Sequence, residues 1–178
     1  MFSKGAWLGL FGLVVHGICA AATPISEDSI RAAYLYRFAG YVTWPQTLPA
    51  DAPLIIDVMD SPGMARELRR ILPAHPINGR SAQVREISSL QELGRPRIVY
   101  VAAGHARMLR ELRPEDAAAM LLVSAEEDGL SDGSVINFVT VDRNVRFEVS
   151  LPAAQRWGLK VSADLLGVAV RVQGAHPR

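Results

Sequence analysis

The stretch IRAAYLYRFAGYVTWP, Ile30 to Pro45, decides how this chain folds. Apolar residues recur at helical spacing through Ile30, Ala33, Tyr34, Phe38, Tyr41 and Val42. A second line, Leu35, Ala39 and Val42, runs beside the first, and only Arg31, Arg37 and Thr43 interrupt the pair. A stripe this broad suits a helix pressed against a sheet rather than one lying on water. Ser26, with Glu27, Asp28 and Ser29, supplies a cap and first-turn acids at the start. Pro45 disfavours the αR conformation at Trp44, so the helix is expected to run into an extended Trp-Pro step. The plain reading of its aromatics is core, which fits Tyr34 and Phe38. The sharper reading is that Tyr41 and Trp44 reach the surface at the helix end and form a partner patch, being the kind of ring that dominates interface energies.

Ahead of this helix, residues 1–22 read as a cleaved signal peptide. Lys4 gives the charged start, Ala6 to Ile18 the short apolar segment, and Cys19-Ala20-Ala21-Ala22 the small residues of a cleavage site. The apolar segment falls short of the roughly 20 residues that span a bilayer. His16, Gly17 and Ile18 are the wrong neighbours for lipidation of Cys19. Export to the periplasm would leave residues 23–178 without a thiol or a disulfide, stable on their core alone. Loss of Lys4 from the 19 basic side chains balances the 18 acidic ones. A neutral chain with no basic run argues against nucleic acid and against membrane insertion after cleavage.

Downstream, proline-rich residues 46–53 read as a loop, and Leu54 to Met59 as a short apolar strand. Ser61-Pro62-Gly63 turns the chain into a helical stretch, Met64 to Leu72, and Pro73, Pro76 and Asn78-Gly79 form a second loop. Further strands are expected at Ala82–Ile87, Arg97–Ala102 and Met120–Ser124, with helical stretches at Ser88–Leu93 and His105–Leu112 between them. Short apolar strands alternating with helices indicate an α/β fold: a mostly parallel sheet with helices on both faces. Val135–Val141 and Val145–Leu151 then form a hairpin across the three-residue turn Asp142-Arg143-Asn144. Its second strand places Val145, Phe147, Val149 and Leu151 on one side and Arg146, Glu148 and Ser150 on a wet side, so an antiparallel edge is expected near the C-terminus. Pro152–Trp157 starts a helix that Gly158 stops, and Ser162–Val170 is the last one. The organisation read from this pattern is a signal peptide at 1–22, a single α/β domain at 23–172 and a flexible tail at 173–178.

Catalytic signatures are missing: no glycine-rich phosphate loop, no nucleophile elbow, no paired-histidine zinc motif. His75, His105 and His176 lack a second ligand at metal spacing. Glu126-Glu127-Asp128 with Asp132 does not follow an EF-hand spacing and reads as a solvated turn. Asn137, inside an apolar strand, is expected to be satisfied by neighbouring backbone. Arg80, Arg95 and Arg97 flank strand ends and are candidates for binding an anion. No cofactor, no metal site and no enzymatic activity is read from the chain.

Two stretches resemble a known family. AAYLYRFAGYVTWP is similar to the opening helix of the YfiR-like periplasmic proteins. Gly133 to Ala169 matches their I-N-F strand, V-R-F-E strand, G-L-K turn and final L-L-x-x-A, through Ile136, Asn137, Phe138, Val145, Arg146, Phe147, Glu148, Gly158, Leu159, Lys160, Leu165, Leu166 and Ala169. Ser134 and Ser150 stand where Gly and Asn are usual, and the disulfide-forming cysteines of characterised members are missing. The resemblance implies a non-enzymatic periplasmic repressor. Its partner would be the periplasmic sensor region of an inner-membrane diguanylate cyclase, whose inhibition lowers cyclic di-GMP and biofilm formation. Redox control is not implied, and self-association as a homodimer stays open. The rival from another class is a small-ligand binding protein, because an open α/β sheet presents a crevice at its strand ends.

Overall fold

The computed structural model describes residues 26–45, 52–74, 76–93, 98–114 and 119–175. The segment read as a signal peptide, residues 46–51 of the expected loop, His75, Arg95, Arg97 and residues 176–178 lie outside them. Helix α1 spans Glu27–Tyr41, capped by Ser26, whose Oγ accepts a hydrogen bond from Ser29 N (3.1 Å). It ends four residues before Pro45 rather than at the Trp-Pro step. Val42 and Thr43 are β-branched and extended, and as β1 they pair antiparallel with β8 (Lys160–Val161), where Ser162 N donates to Tyr41 O (3.0 Å). A strand partner at hand ends this helix sooner than the proline requires.

The inner face of α1 is also not the first apolar line. Ala32, Leu35, Phe38 and Ala39 are fully buried, whereas Ala33 and Tyr41 are exposed and Ile30 and Tyr34 half-buried. Both sides of the helix are apolar, so sequence periodicity alone could not choose between them.

The main sheet has seven strands in the order β3-β2-β4-β5-β6-β7-β9. β2 (Leu54–Met59), β3 (Ala82–Ile87), β4 (Ile98–Val101), β5 (Leu121–Ser124) and β6 (Ile136–Val141) are parallel, and β7 (Asn144–Ser150) returns antiparallel to β6. The α/β class and the C-terminal antiparallel pair are therefore as expected. The turn is shorter than expected: Asp142 and Arg143 both have positive φ (49° and 62°), the two-residue geometry that matches strand twist. The hairpin is not the edge, because β9 (Arg171–Gln173) pairs parallel outside β7. Gln173, assigned to the tail by sequence, thus belongs to the sheet. The second hairpin face is wet only at Arg146, which is exposed, since Glu148 and Ser150 are 4% and 3% exposed.

Among the described residues four α-helices accompany the sheet: α1, α2 (Pro62–Ile71), α3 (Leu151–Arg156) and α4 (Ala163–Val168). α1 packs on α2, α4 and β7. Gly158, at φ +67°, ends α3 with Leu159 N reaching back to Ala154 O (2.8 Å), a closure that favours glycine. The connections β3–β4 and β4–β5 are carried by 3₁₀ turns at Leu90–Glu92 and Ala106–Glu111 rather than by the α-helices expected there. By the right-handed crossover rule these lie on the face opposite α2, so that face carries the thinner cover.

Candidate functional site

The end of α1 is held in place by the small β1–β8 ladder, which fixes the direction in which the following aromatics leave the helix. Tyr41 is 39% exposed, one of the few large hydrophobic side chains that face solvent. Trp44 is half-buried, packed against the main core, with its Nε1 enclosed and unpaired. The two residues read from sequence as a patch are therefore neighbours of unequal kind: Tyr41 presents a free ring, and Trp44 shows only part of one. Val168 and Val170, at the far end of α4, are exposed as well. Nothing in their spacing separated them from core valines in the sequence.

Of the arginine candidates, only Arg80 is among the described residues. Arg80 is half-buried and its Nη1 donates to Ala52 O (3.3 Å), which latches the Asn78–Gly79 turn to the entry of β2. In the acidic stretch 126–132, Glu127 and Asp128 stand exposed in a turn as expected, whereas Glu126 and Asp132 are tied to the fold. Glu126 Oε2 accepts from Ala106 N (3.0 Å), and buried Asp132 makes an ion contact with Arg110 (2.5 Å) that lacks hydrogen-bond alignment. Among the described residues no group of three or more His, Cys, Asp or Glu side chains is placed to hold a metal ion.

Two constellations escaped the sequence reading. At the carboxyl ends of β2 and β4, His105 Nε2 stands 3.3 Å from Asp60 Oδ2, and Asp60 sits at φ +51°. β3 and β4 lie on opposite sides of β2, so this pair marks the point where strand order reverses, the usual ligand crevice of open α/β sheets. The pair bridges two strand ends; both side chains are about 40% exposed. Only a histidine without a sequence neighbour signalled it.

The second constellation lies on the sheet face opposite α1. Ser134 Oγ donates to Ser124 Oγ (2.6 Å), which donates to Asn137 Oδ1 (2.7 Å). Asn137 also accepts from Glu126 N (3.1 Å), and its Nδ2 donates to Glu126 O (2.7 Å) and to Glu148 Oε1 (2.9 Å). Arg171 from β9 completes the chain on Glu148 Oε2 (2.6 Å). Gly129 lies directly on this network, where any side chain would collide with Ser124 Oγ and Asn137 Oδ1. Asn137 is thus satisfied by backbone, as its place in the strand suggested, and by side chains that alternation alone put in water. Nearer the other edge, Asp57 accepts two hydrogen bonds from Arg85 (2.7 Å each), which holds the guanidinium pKa above its ordinary value. Both arrangements lock strands together with every member engaged, the signature of support rather than of turnover.

A family profile described as YfiR/HmsC-like matches residues 28–170. None of the curated proteins matches the sequence. Among solved structures, a conserved domain protein from Vibrio cholerae O1 biovar El Tor superposes with a TM-score of 0.54 at 10% identity, over 83% of this chain and 60% of that one. At that identity the likeness shows the fold alone, and the chain spans about 60% of the Vibrio protein's length. No described helix is long and apolar enough to cross a membrane.

Proposed function

Because the chain belongs to the YfiR/HmsC-like family of periplasmic regulators of diguanylate cyclases, we propose that it binds the periplasmic sensor region of an inner-membrane diguanylate cyclase and holds that enzyme inactive, lowering cyclic di-GMP and biofilm formation. The family match over residues 28–170 carries this reading. Export by cleavage near Ala22, without lipidation, delivers the chain to the partner's compartment. The contact is centred on the end of α1, where Tyr41 is exposed and Trp44 half-buried beside it. A modest patch with one or two aromatic anchors suits a reversible switch.

Calorimetry of the exported chain against the purified sensor region tests the reading. Tyr41→Ala should lose roughly 2 kcal/mol or more of binding with little change in melting temperature. Trp44→Ala should lose binding too, with some loss of melting because part of its ring is packed. If both variants bind and repress normally, the contact lies elsewhere. If the wild-type chain does not bind, the regulator reading fails. A small-ligand binding protein is the second reading, favoured by the His105–Asp60 pair at the strand-order reversal. A metabolite that raises the melting temperature, and that His105→Ala no longer binds, would favour it.

A further inference from the structure

The outer side of α1 carries a feature that the aromatic end alone does not explain. Arg37 is exposed and makes no hydrogen bond or ion pair among the described residues. A hollow opens on each side of it. One, of about 290 Å³, lies between α1 and the Asn78–Gly79 turn, walled by Tyr36, Tyr41, Ile77 and Asn78. The other, of about 380 Å³, runs along Ile30, Ala33 and Tyr34. From Ser29 to Tyr41 the helix contains no acidic residue, and Arg31, its only other charge, is already paired with Glu27 (2.8 Å).

Gly40 forms the floor of the first hollow. Glycine weakens a helix relative to alanine, and nothing in the packing requires it here: a Cβ would meet only Asn78 Oδ1, at 3.9 Å. The missing side chain therefore keeps space open rather than avoiding a clash. The opposite wall is stiff, because Ile77 is buried and exchanges both backbone hydrogen bonds with Arg80 (2.9 and 3.0 Å) across the turn.

We infer that this double hollow is a docking groove for a segment of the cyclase sensor region that carries a carboxylate flanked by apolar side chains. Arg37 takes the carboxylate, the Gly40 hollow takes one apolar side chain beside Tyr41, and the Ile30–Tyr34 hollow takes the other. The unpaired guanidinium is the argument for an acidic occupant, since Arg is the side chain built for carboxylate recognition. The inference rests on the regulator reading above and adds the chemistry of the partner.

Calorimetry against the sensor region, with Gly40→Leu, Gly40→Ala and Arg37→Gln beside Tyr41→Ala, tests it. Gly40→Leu fills the hollow and should weaken binding about tenfold or more, while its melting temperature stays at or above the wild type because the site is open. Gly40→Ala should weaken binding less and melt higher. Arg37→Gln should weaken binding and remove most of its salt dependence. Normal binding by Gly40→Leu and Arg37→Gln, with Tyr41→Ala impaired, overturns the groove and leaves the regulator reading standing. Absence of wild-type binding removes both. If the wild type is dimeric and Gly40→Leu monomeric, the occupant is a second copy of this chain and the acidic partner segment is wrong.

Discussion

At the C-terminal end of the seven-stranded sheet the two faces are held by different means. Under α1, Phe38 stacks on Phe138 (5.5 Å between centroids) and meets Phe147 edge-on (4.8 Å), while Tyr34 and Tyr100 close the ring cluster. On the other face, Asn137 lies between Ile136 and Phe138 in sequence and Glu148 between Phe147 and Val149, so strand alternation turns them away from α1. There the fill beside β6 and β7 is a hydrogen-bonded chain from Ser134 to Arg171, while Met59, Val99, Val101 and Leu122 keep the β2–β5 part of the same face mostly apolar and buried. The difference teaches how cover and content go together. The large rings Phe38, Phe138 and Phe147 are closed over by the continuous wall of α1. The polar stretch can close under the 126–134 loop, because backbone groups such as Glu126 N and O become partners for its side chains.

The largest effect should come from the aromatic side. Phe38 is fully buried and touches three other rings, so Phe38→Ala should lose about 3–5 kcal/mol in urea unfolding. That is a large part of the roughly 5–15 kcal/mol available to a domain. A loss below about 1 kcal/mol would mean that the cluster repacks freely and that helical cover over this face is dispensable.

The polar side should come next. Asn137→Ala leaves Ser124 Oγ, the Glu126 backbone and Glu148 Oε1 short of partners. At about 1–3 kcal/mol for each buried group left unmade, partly relieved by water, a loss of roughly 2–3 kcal/mol is expected. Hydrogen exchange should sharpen the contrast. Asn137→Ala should loosen β9 and the 126–134 loop first, whereas Phe38→Ala should lower protection across the whole sheet. A uniform response to both would make the two faces one cooperative unit and break the comparison.

The apolar side was the more legible of the two in the sequence. Leu54–Met59 and Ala82–Ile87 are strands with the expected bounds, and the Ser26 cap and the Gly158 stop stand where their chemistry put them. These features are local, set by alternation, capping and turn residues. The polar side depends on contacts across the chain. Glu148 looks solvent-facing until β9 lies beside it, and β9 is three residues long with two polar side chains, too brief for a pattern. The His105–Asp60 pair joins two strand ends that no spacing rule connects. The groove on α1 was hidden for another reason: a helix apolar on both sides does not say which side is buried.

The smallest effect, and the finest probe of the contrast, concerns the one phenol buried within the aromatic face. Tyr100 is 1% exposed, and burial pushes its pKa above the ordinary tyrosine value, with the nearby Arg31 guanidinium opposing that rise in part. The unfolded chain, with Tyr100 in water, releases this proton near pH 10, while the folded chain still holds it. Folded protein then binds more protons than unfolded, so stability falls as pH rises through that range, by up to about 1.4 kcal/mol per pH unit for one group. Tyr100→Phe removes this contribution and should differ from the wild type by less than about 1 kcal/mol at neutral pH, because the hydroxyl is uncharged there and its ring packing is kept. The two stability curves, measured by urea midpoint, should keep a constant separation up to the onset of tyrosine ionisation, and the wild type should then lose about 1 kcal/mol relative to Tyr100→Phe as pH rises through roughly one further unit. Curves that stay parallel through that range would mean that water reaches the Tyr100 hydroxyl, and that the face under α1 is less dry than its packing indicates.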